Sequence, residues 1–355
     1  MKRLFSIAFA VLFVFSVNYL AQIPTATLVQ IVKAEDERRW DSTLENLLKN
    51  VNAKVRERAV LAVGRIGDAN SIPALKNLLI TEKDDNVRVM IMFAFGEIES
   101  AKGAETVLKM LQTPNNLSDF IARAIEAAGK IAAANPKDEN SKKLGAAILE
   151  QLNFEDKKRS APFKDVVLFG LTAVLRARPE GGEKVVAEFL RYSDARIRAD
   201  ALNTLARLRA KTVNTQAREL LKNDKDAVVR ANAARMLGVG EDKESLDLLI
   251  NAATKDEDSR VRVSAIRALG SLKDASVAEK IVPSNLNLAN KSEYLEIATT
   301  LGRLLPNTNN QKAIEFLEKF RKLDKYESPE TEIAYALISP KGYLKAVPNS
   351  KHTEF

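Results

Sequence analysis

The stretch Val55-Arg56-Glu57-Arg58-Ala59-Val60-Leu61-Ala62-Val63-Gly64-Arg65-Ile66-Gly67 decides the fold, because related stretches follow it along the chain. The later copies are Val87 to Ile98, Ile197 to Leu208, Val229 to Gly240 and Val261 to Leu272. With Gly64 as the reference position, the equivalents are Gly96, Gly129, Thr172, Ala206, Gly238, Gly270 and Gly302, at spacings of 32, 33, 43, 34, 32, 32 and 32 residues. A period of this length is typical of proteins whose repeats stack on their neighbours. The sequence therefore predicts a repeat array, with a surface suited to binding rather than a central catalytic pocket.

Each repeat carries the apolar pattern of a helical hairpin. In the quoted stretch the apolar residues recur at helical spacing, and a shorter apolar pattern precedes it at Leu44, Leu47 and Leu48. We therefore expect an all-α protein of the α-α superhelix class, a solenoid of about eight to nine hairpins, each with a first helix A and a second helix B. Residues suited to N-capping helix B precede most copies, namely Asn52, Asp84, Ser160, Asp194, Asp226, Asp258 and Asn290. A last hairpin, from Gln311 to Ile338 and interrupted at Pro329, is expected to cap the array.

Five arginines occupy one position in the first turn of helix B. They are Arg56, Arg88, Arg198, Arg230 and Arg262. A cation there meets the positive end of the helix dipole and loses ~0.3–1 kcal/mol, so a nearby acid must offset the cost. The nearest acids are the capping residues Asp84, Asp194, Asp226 and Asp258, and we expect a ladder of charge-assisted hydrogen bonds between adjacent repeats. The alternative is that the arginines bind a ligand. The pattern predicts a break in the ladder where Ile121 and Lys164 replace the arginine.

Helix B segments such as Asp258 to Leu272, of the form Asp-x-x-Val-Arg-x-x-Ala-x-x-Ala-Leu-Gly-x-Ile, resemble HEAT repeats. The resemblance covers residues 41–305 and is greatest to the bacterial phycobilin-lyase-like subtype. It implies a non-enzymatic scaffold or adaptor that binds proteins. Residues 37–100 also resemble the HEAT segments ahead of cyclophilin-type domains, which implies the alternative that this is the HEAT portion of a larger exported prolyl isomerase. A chromophore lyase-like enzyme is a third reading.

The start of the chain resembles a signal peptide. Lys2 and Arg3 precede an uncharged run from Leu4 to Val17, and Val32-Lys33-Ala34 is the first well-formed cleavage pattern. We therefore expect a signal peptide at 1–34, a solenoid at 35–338 with an insertion at about 134–162, and a polar tail at 339–355. The protein would then be periplasmic or secreted. If the leader is retained, residues 4–23 are long enough to anchor the chain in the inner membrane.

Composition excludes several kinds of chemistry. The net charge of +8 falls to +5 without the leader, which contains Lys2, Arg3 and Lys33 but no acid. This mild excess comes without a Lys/Arg block or a nucleic-acid motif, so no nucleic-acid partner is expected. The chain has no cysteine, and its one histidine, His352, lies in the tail. We expect no enzyme, no catalytic residues, no cofactor and no metal.

We expect the partner to bind the outward face of helix B, at the positions six and three before the reference and one after it. The candidate residues are Arg58, Arg65, Met90, Phe93, Val166, Phe169, Arg207, Arg235, Arg267 and Arg303. Met90 with Phe93, and Val166 with Phe169, would supply large apolar side chains between basic rims. The alternative is that the insertion covers these two helices. The partner's identity, the oligomeric state and the biological process stay open.

Overall fold

A computed structural model describes residues 22–113, 117–158, 161–283, 286, 290–323 and 328–346. The regular elements in these ranges are helices, which confirms the all-α class. The chain divides into two compact units, residues 1–185 and 186–355. None of the described helices is both long enough and apolar enough to span a bilayer.

The first unit stacks helical hairpins in chain order. Its helices are α1 (Thr25–Asp36), α2 (Ser42–Leu47), α3 (Ala53–Ile66), α4 (Ile72–Thr81), α5 (Asp85–Ile98), α6 (Ala104–Gln112), α7 (Ser118–Ala134), α8 (Glu139–Lys157) and α9 (Lys164–Ala177). A short helix A, α10 (Gly182–Glu188), spans the boundary between the units. The B helices α3, α5, α7 and α9 pack on one another in sequence, and α1 packs on α3.

The second unit repeats this arrangement. Its helices are α11 (Ala195–Leu208), α12 (Asn214–Asn223), α13 (Ala227–Val239), α14 (Leu246–Lys255), α15 (Ser259–Leu272), α16 (Ala278–Ile281), α17 (Lys291–Leu304), α18 (Gln311–Leu323), α19 (Pro329–Ile338) and α20 (Pro340–Ala346). The B helices α11, α13, α15, α17 and α19 again pack in sequence. Pro329 is the first residue of α19, a position where its missing N–H costs nothing, so it starts this helix rather than interrupting a hairpin.

The reference glycines lie where neighbouring B helices come closest. A Cβ added at Gly129 would stand 2.7 Å from the Cα of Ala173, and one at Gly238 would stand 2.7 Å from the Cα of Ala268. Ala268 comes two residues before its own reference position, Gly270. By the same geometry the reference residue of the fourth repeat is Leu175. The sequence alignment on Thr172 was therefore wrong by three residues, because a leucine replaces the small residue that the alignment sought.

Helices lie across three of the predicted boundaries. The insertion expected at about 134–162 contains α8, a 19-residue helix A, with Asp138 as its N-cap. Helix α1 covers Thr25 to Ala34, which the sequence assigned to the leader. Helix α20 covers part of the predicted tail.

Candidate functional site

The arginine position of helix B forms ion pairs between adjacent repeats. The bidentate pairs are Arg56 with Glu82 (2.6 and 2.7 Å), Arg198 with Asp224 (both 2.8 Å), Arg230 with Asp256 (both 2.9 Å) and Arg262 with Glu293 (2.8 and 2.6 Å). Each arginine also donates to two backbone carbonyls just before its own helix, as Arg230 does to Asp224 and Lys225. One side chain therefore ties the start of its helix to the next repeat.

The predicted acids of the ladder were wrong. Asp84, Asp194, Asp226 and Asp258 cap their own helices, accepting the backbone N–H two residues ahead at 3.0, 2.8, 2.8 and 2.8 Å. Capping commits these carboxylates to their own helix. In three repeats the guanidinium pairs instead with the acid two residues before the cap, namely Glu82, Asp224 or Asp256. A constant spacing identifies these acids in the sequence, and the prediction did not use it. Each of Glu82, Asp224 and Asp256 follows its arginine by 26 residues.

The carboxylates of Glu82 and Asp256 keep their charge at neutral pH. Burial raises the pKa of Glu82, but the hydrogen bonds from Arg56 and from two backbone amides outweigh it, and the pKa is lowered. Burial likewise raises the pKa of Asp256, and the hydrogen bond from Arg230 leads the effects that lower it. Their lowered pKa values favour the charged form that the ion pairs with Arg56 and Arg230 require.

The ladder breaks in the middle of the first unit, in the two repeats that follow the repeat of Arg88. Arg88 places its guanidinium 4.8 Å from the centre of the Phe120 ring and donates to Asp85 of its own helix. The next two repeats have Ile121 and Val167 at the arginine position. Val167, rather than the predicted Lys164, occupies it because the repeat register differs by three residues. Here the surface between repeats changes from ionic to apolar.

A groove of about 300 Å³ opens at this break. Its walls are the ends of α6 and α8 and the starts of α7 and α9, with lining residues Leu111, Gln112, Thr113, Ser118, Ile121, Gln151, Phe154, Glu155, Lys158, Phe163 and Val166. The corresponding grooves elsewhere contain a ladder pair in the wall, Arg56 with Glu82 in one and Arg230 with Asp256 in the other. We refer to the groove at the break as the phenylalanine groove.

Two phenylalanine side chains at this groove contact a lysine and are still exposed to solvent. Phe154 is 57% exposed and Phe163 is 51% exposed. The ammonium group of Lys158 lies 4.6 Å from the centre of the first ring and 4.0 Å from the second. Glu155 is buried, and it accepts hydrogen bonds from Lys158 (2.8 Å) and from the backbone N–H of Phe163 (2.7 Å). Glu155 therefore holds the ammonium group of Lys158 in place, and Lys158 in turn contacts the faces of both phenylalanine rings.

The predicted helix-B face has a different character. Phe93 and Phe169 are half-buried on either side of Arg123, whose guanidinium lies 5.7 and 5.0 Å from the two ring centres. Met90 is half-buried as well. Val166 is fully buried, so placing it on the outward face was wrong; in the corrected register it belongs to the apolar stripe of helix B.

The basic candidates on this face differ in whether they share a carboxylate with another arginine. Arg58 and Arg65 share the carboxylate of Glu35. Arg267 and Arg303 share that of Glu296 in the same way. Arg207 and Arg235 are exposed, and Arg235 donates to Asn203 of the preceding repeat.

A family model described as HEAT repeats matches residues 40–129 and 214–287. The chain contains HEAT repeats. The phycobilin-lyase-like subtype stays a prediction. No curated protein matches the chain significantly.

Solved structures show the same fold. The X-ray structure of YibA from Escherichia coli is 17% identical with a TM-score of 0.56, over 80% of this chain and 98% of that one. Importin beta is 12% identical with a TM-score of 0.53, over 86% of this chain and 49% of that one. At these identities the likeness shows a superhelical HEAT-repeat fold and nothing more. Human deoxyhypusine hydroxylase matches at 17% identity over 68% of this chain and 98% of that one, with a TM-score of 0.31, which is too low to support an argument from its activity.

The described residues offer few groups for metal chemistry. Among them, no cluster of three or more His, Cys, Asp and Glu side chains is placed to hold a metal ion. His352, the only imidazole in the sequence, lies outside those residues.

Proposed function

We propose that this protein is an exported, non-enzymatic HEAT-repeat scaffold that binds another protein at the phenylalanine groove. The observation that carries the proposal is the exposed pair Phe154 and Phe163, which line a groove where Ile121 stands in place of the ladder arginine. Aromatic side chains, phenylalanine among them, are enriched in protein interfaces relative to the rest of the surface. HEAT repeats commonly serve as adaptors, which supports binding in general and leaves the partner open.

The groove suits binding because its rings are already ordered. Lys158 holds both phenylalanines, so a partner would lose little entropy in immobilising them. Gln151 donates to the carbonyl of Leu111 at 2.8 Å and fixes α8 against the end of α6. A rigid apolar groove with a cationic centre favours a partner that presents apolar side chains.

The test is a double substitution, Phe154→Ser with Phe163→Ser, in the full-length protein. We expect capture of the native partner from envelope extract, measured by affinity pull-down and mass spectrometry, to be lost. Far-UV circular dichroism and the melting temperature should stay close to wild type, because both rings are more than half exposed.

The matched control is Val51→Ser with Ile80→Ser, which also removes two exposed apolar side chains, 93% and 81% exposed, from the same unit. It should retain capture. Equal capture by both double variants would contradict the proposal.

The two alternative hypotheses have their own tests. A prolyl isomerase requires a catalytic domain encoded further along the gene, and a chromophore lyase requires transfer of a bilin.

A further inference from the structure

Helix α1 is part of the folded array. Ile31 and Ala34 are fully buried, and α1 packs against α3, the first helix B. Glu35, in the last turn of α1, forms ion pairs with Arg58 (2.6 Å) and Arg65 (2.8 Å) of α3. Glu35 is therefore joined to α3 at two points, one near the middle of that helix and one near its C-terminal end.

This arrangement conflicts with cleavage after Ala34. The bond between Ala34 and Glu35 lies inside α1, and cutting it would remove ten of the twelve residues of the helix, including buried Ile31. The terminal repeats of a solenoid need a capping element, since each B helix otherwise leaves one apolar side uncovered. Helix α1 supplies that cover for α3.

The sequence ahead of α1 offers no good substitute junction. Signal peptidase needs small residues at both the first and the third position before the cut. Ala21 satisfies the first requirement, but Tyr19 stands at the third position. Cleavage there is disfavoured by the bulk of the tyrosine ring.

We infer that Ala34 is a packing residue of an N-terminal capping helix, and that the exported chain keeps α1 and stays attached to the membrane by residues 4–23. The uncharged character of this segment after Lys2 and Arg3 suits it to span a bilayer core with the N-terminus inside. The inference shares the export step with the proposed function but does not depend on partner binding.

The first experiment follows the full-length chain, with a C-terminal tag, in a bacterial host. Membranes are washed with alkaline carbonate, and the tagged protein is analysed by intact mass and N-terminal peptide mapping. We expect an unprocessed chain in the washed membranes. A mature N-terminus at Glu35, a junction between residues 18 and 24, or an unprocessed chain in the soluble fraction would overturn the inference.

The second experiment restores the missing cleavage pattern. Tyr19→Ala places small residues at both required positions, so we expect release of a soluble chain that begins at Gln22 and retains α1. Retention of this variant at full length in the membrane would overturn the argument that tyrosine protects the anchor.

Ile31→Ala should lower the melting temperature of the full chain by several degrees, whereas Val32→Ala, at a 38% exposed site, should not. Equal melting temperatures for the two variants would refute the capping role of α1.

Discussion

At the scale of single residues, the ladder explains why an arginine is repeated at a position where the helix dipole opposes it. Arg230 makes up for the unfavourable dipole with two hydrogen bonds to Asp256 and two to backbone carbonyls. The sequence predicted the arginines correctly but assigned the wrong acids, because proximity along the chain favoured the capping residues. In the eighth repeat Glu293 takes over the role from a position that is apolar in other repeats.

Arg230→Ala should be among the more damaging substitutions in the second unit. It removes both charge-assisted bonds and leaves Asp256, with its lowered pKa, without its main partner. We expect a loss of about 2–4 kcal/mol in the free energy of unfolding, measured by urea denaturation. The control is Arg260→Ala, which breaks an exposed pair with Asp258 and should change stability little. Equal effects of the two substitutions would rule out a special role for the ladder.

The ladder also makes stability depend on pH in a defined direction. The pKa of Asp256 is lower in the folded chain than the value of about 3.9 expected when unfolded. Its contribution is therefore complete above that unfolded value and is lost as the pH falls through the folded value. Asp256→Asn should be less stable than wild type at pH 7, and the difference should shrink towards pH 3. Asp247→Asn, at an exposed position, should show no such convergence. A difference for Asp256→Asn that is independent of pH would contradict this account.

At the scale of helices, the hairpins could be predicted from apolar periodicity, whereas the register of α9 could not. A small residue at the reference position marks a close contact between B helices. This signal is missing in the fourth repeat, where the reference residue is Leu175. The same failure placed Val166 on the surface, although this side chain is fully buried. Periodicity determines what most repeats share, so it gives little information about the repeat that departs from the pattern.

The close contacts between B helices predict that replacing a reference glycine by alanine lowers stability by different amounts in different repeats. Gly238→Ala would place a methyl group 2.7 Å from the backbone Cα of Ala268, which cannot move independently of its helix. We expect a loss of about 1–3 kcal/mol from overpacking, measured by urea denaturation. Gly270→Ala faces the side chain of Thr300 at 3.2 Å, which is less crowded, and the gain in helix propensity of up to ~1 kcal/mol offsets the cost. A larger loss at Gly270 than at Gly238 would contradict the packing argument.

At the scale of the whole molecule, each unit is held together mainly by contacts between the B helices of adjacent repeats, so one repeat can change its surface without disturbing distant ones. The sequence alone predicted the all-α class and the repeat family, since both average over many copies. It did not predict the phenylalanine groove, because Phe154 lies on α8, which is longer than the other A helices, and Phe163 stands at the N-cap position where most other repeats have Asn or Asp. The candidate site is thus found where the repeat pattern fails.

Site-specific photo-crosslinking in the cells that make the protein tests the central claim most directly, namely that a partner binds at the break in the ladder. Phe154 is replaced by benzoylphenylalanine in one full-length variant, and Ile80, an 81% exposed residue outside the groove, is replaced in the other. We predict a discrete protein adduct from position 154, identified by mass spectrometry, and none from position 80. The same adducts from both positions, or no adduct from position 154, would contradict the account.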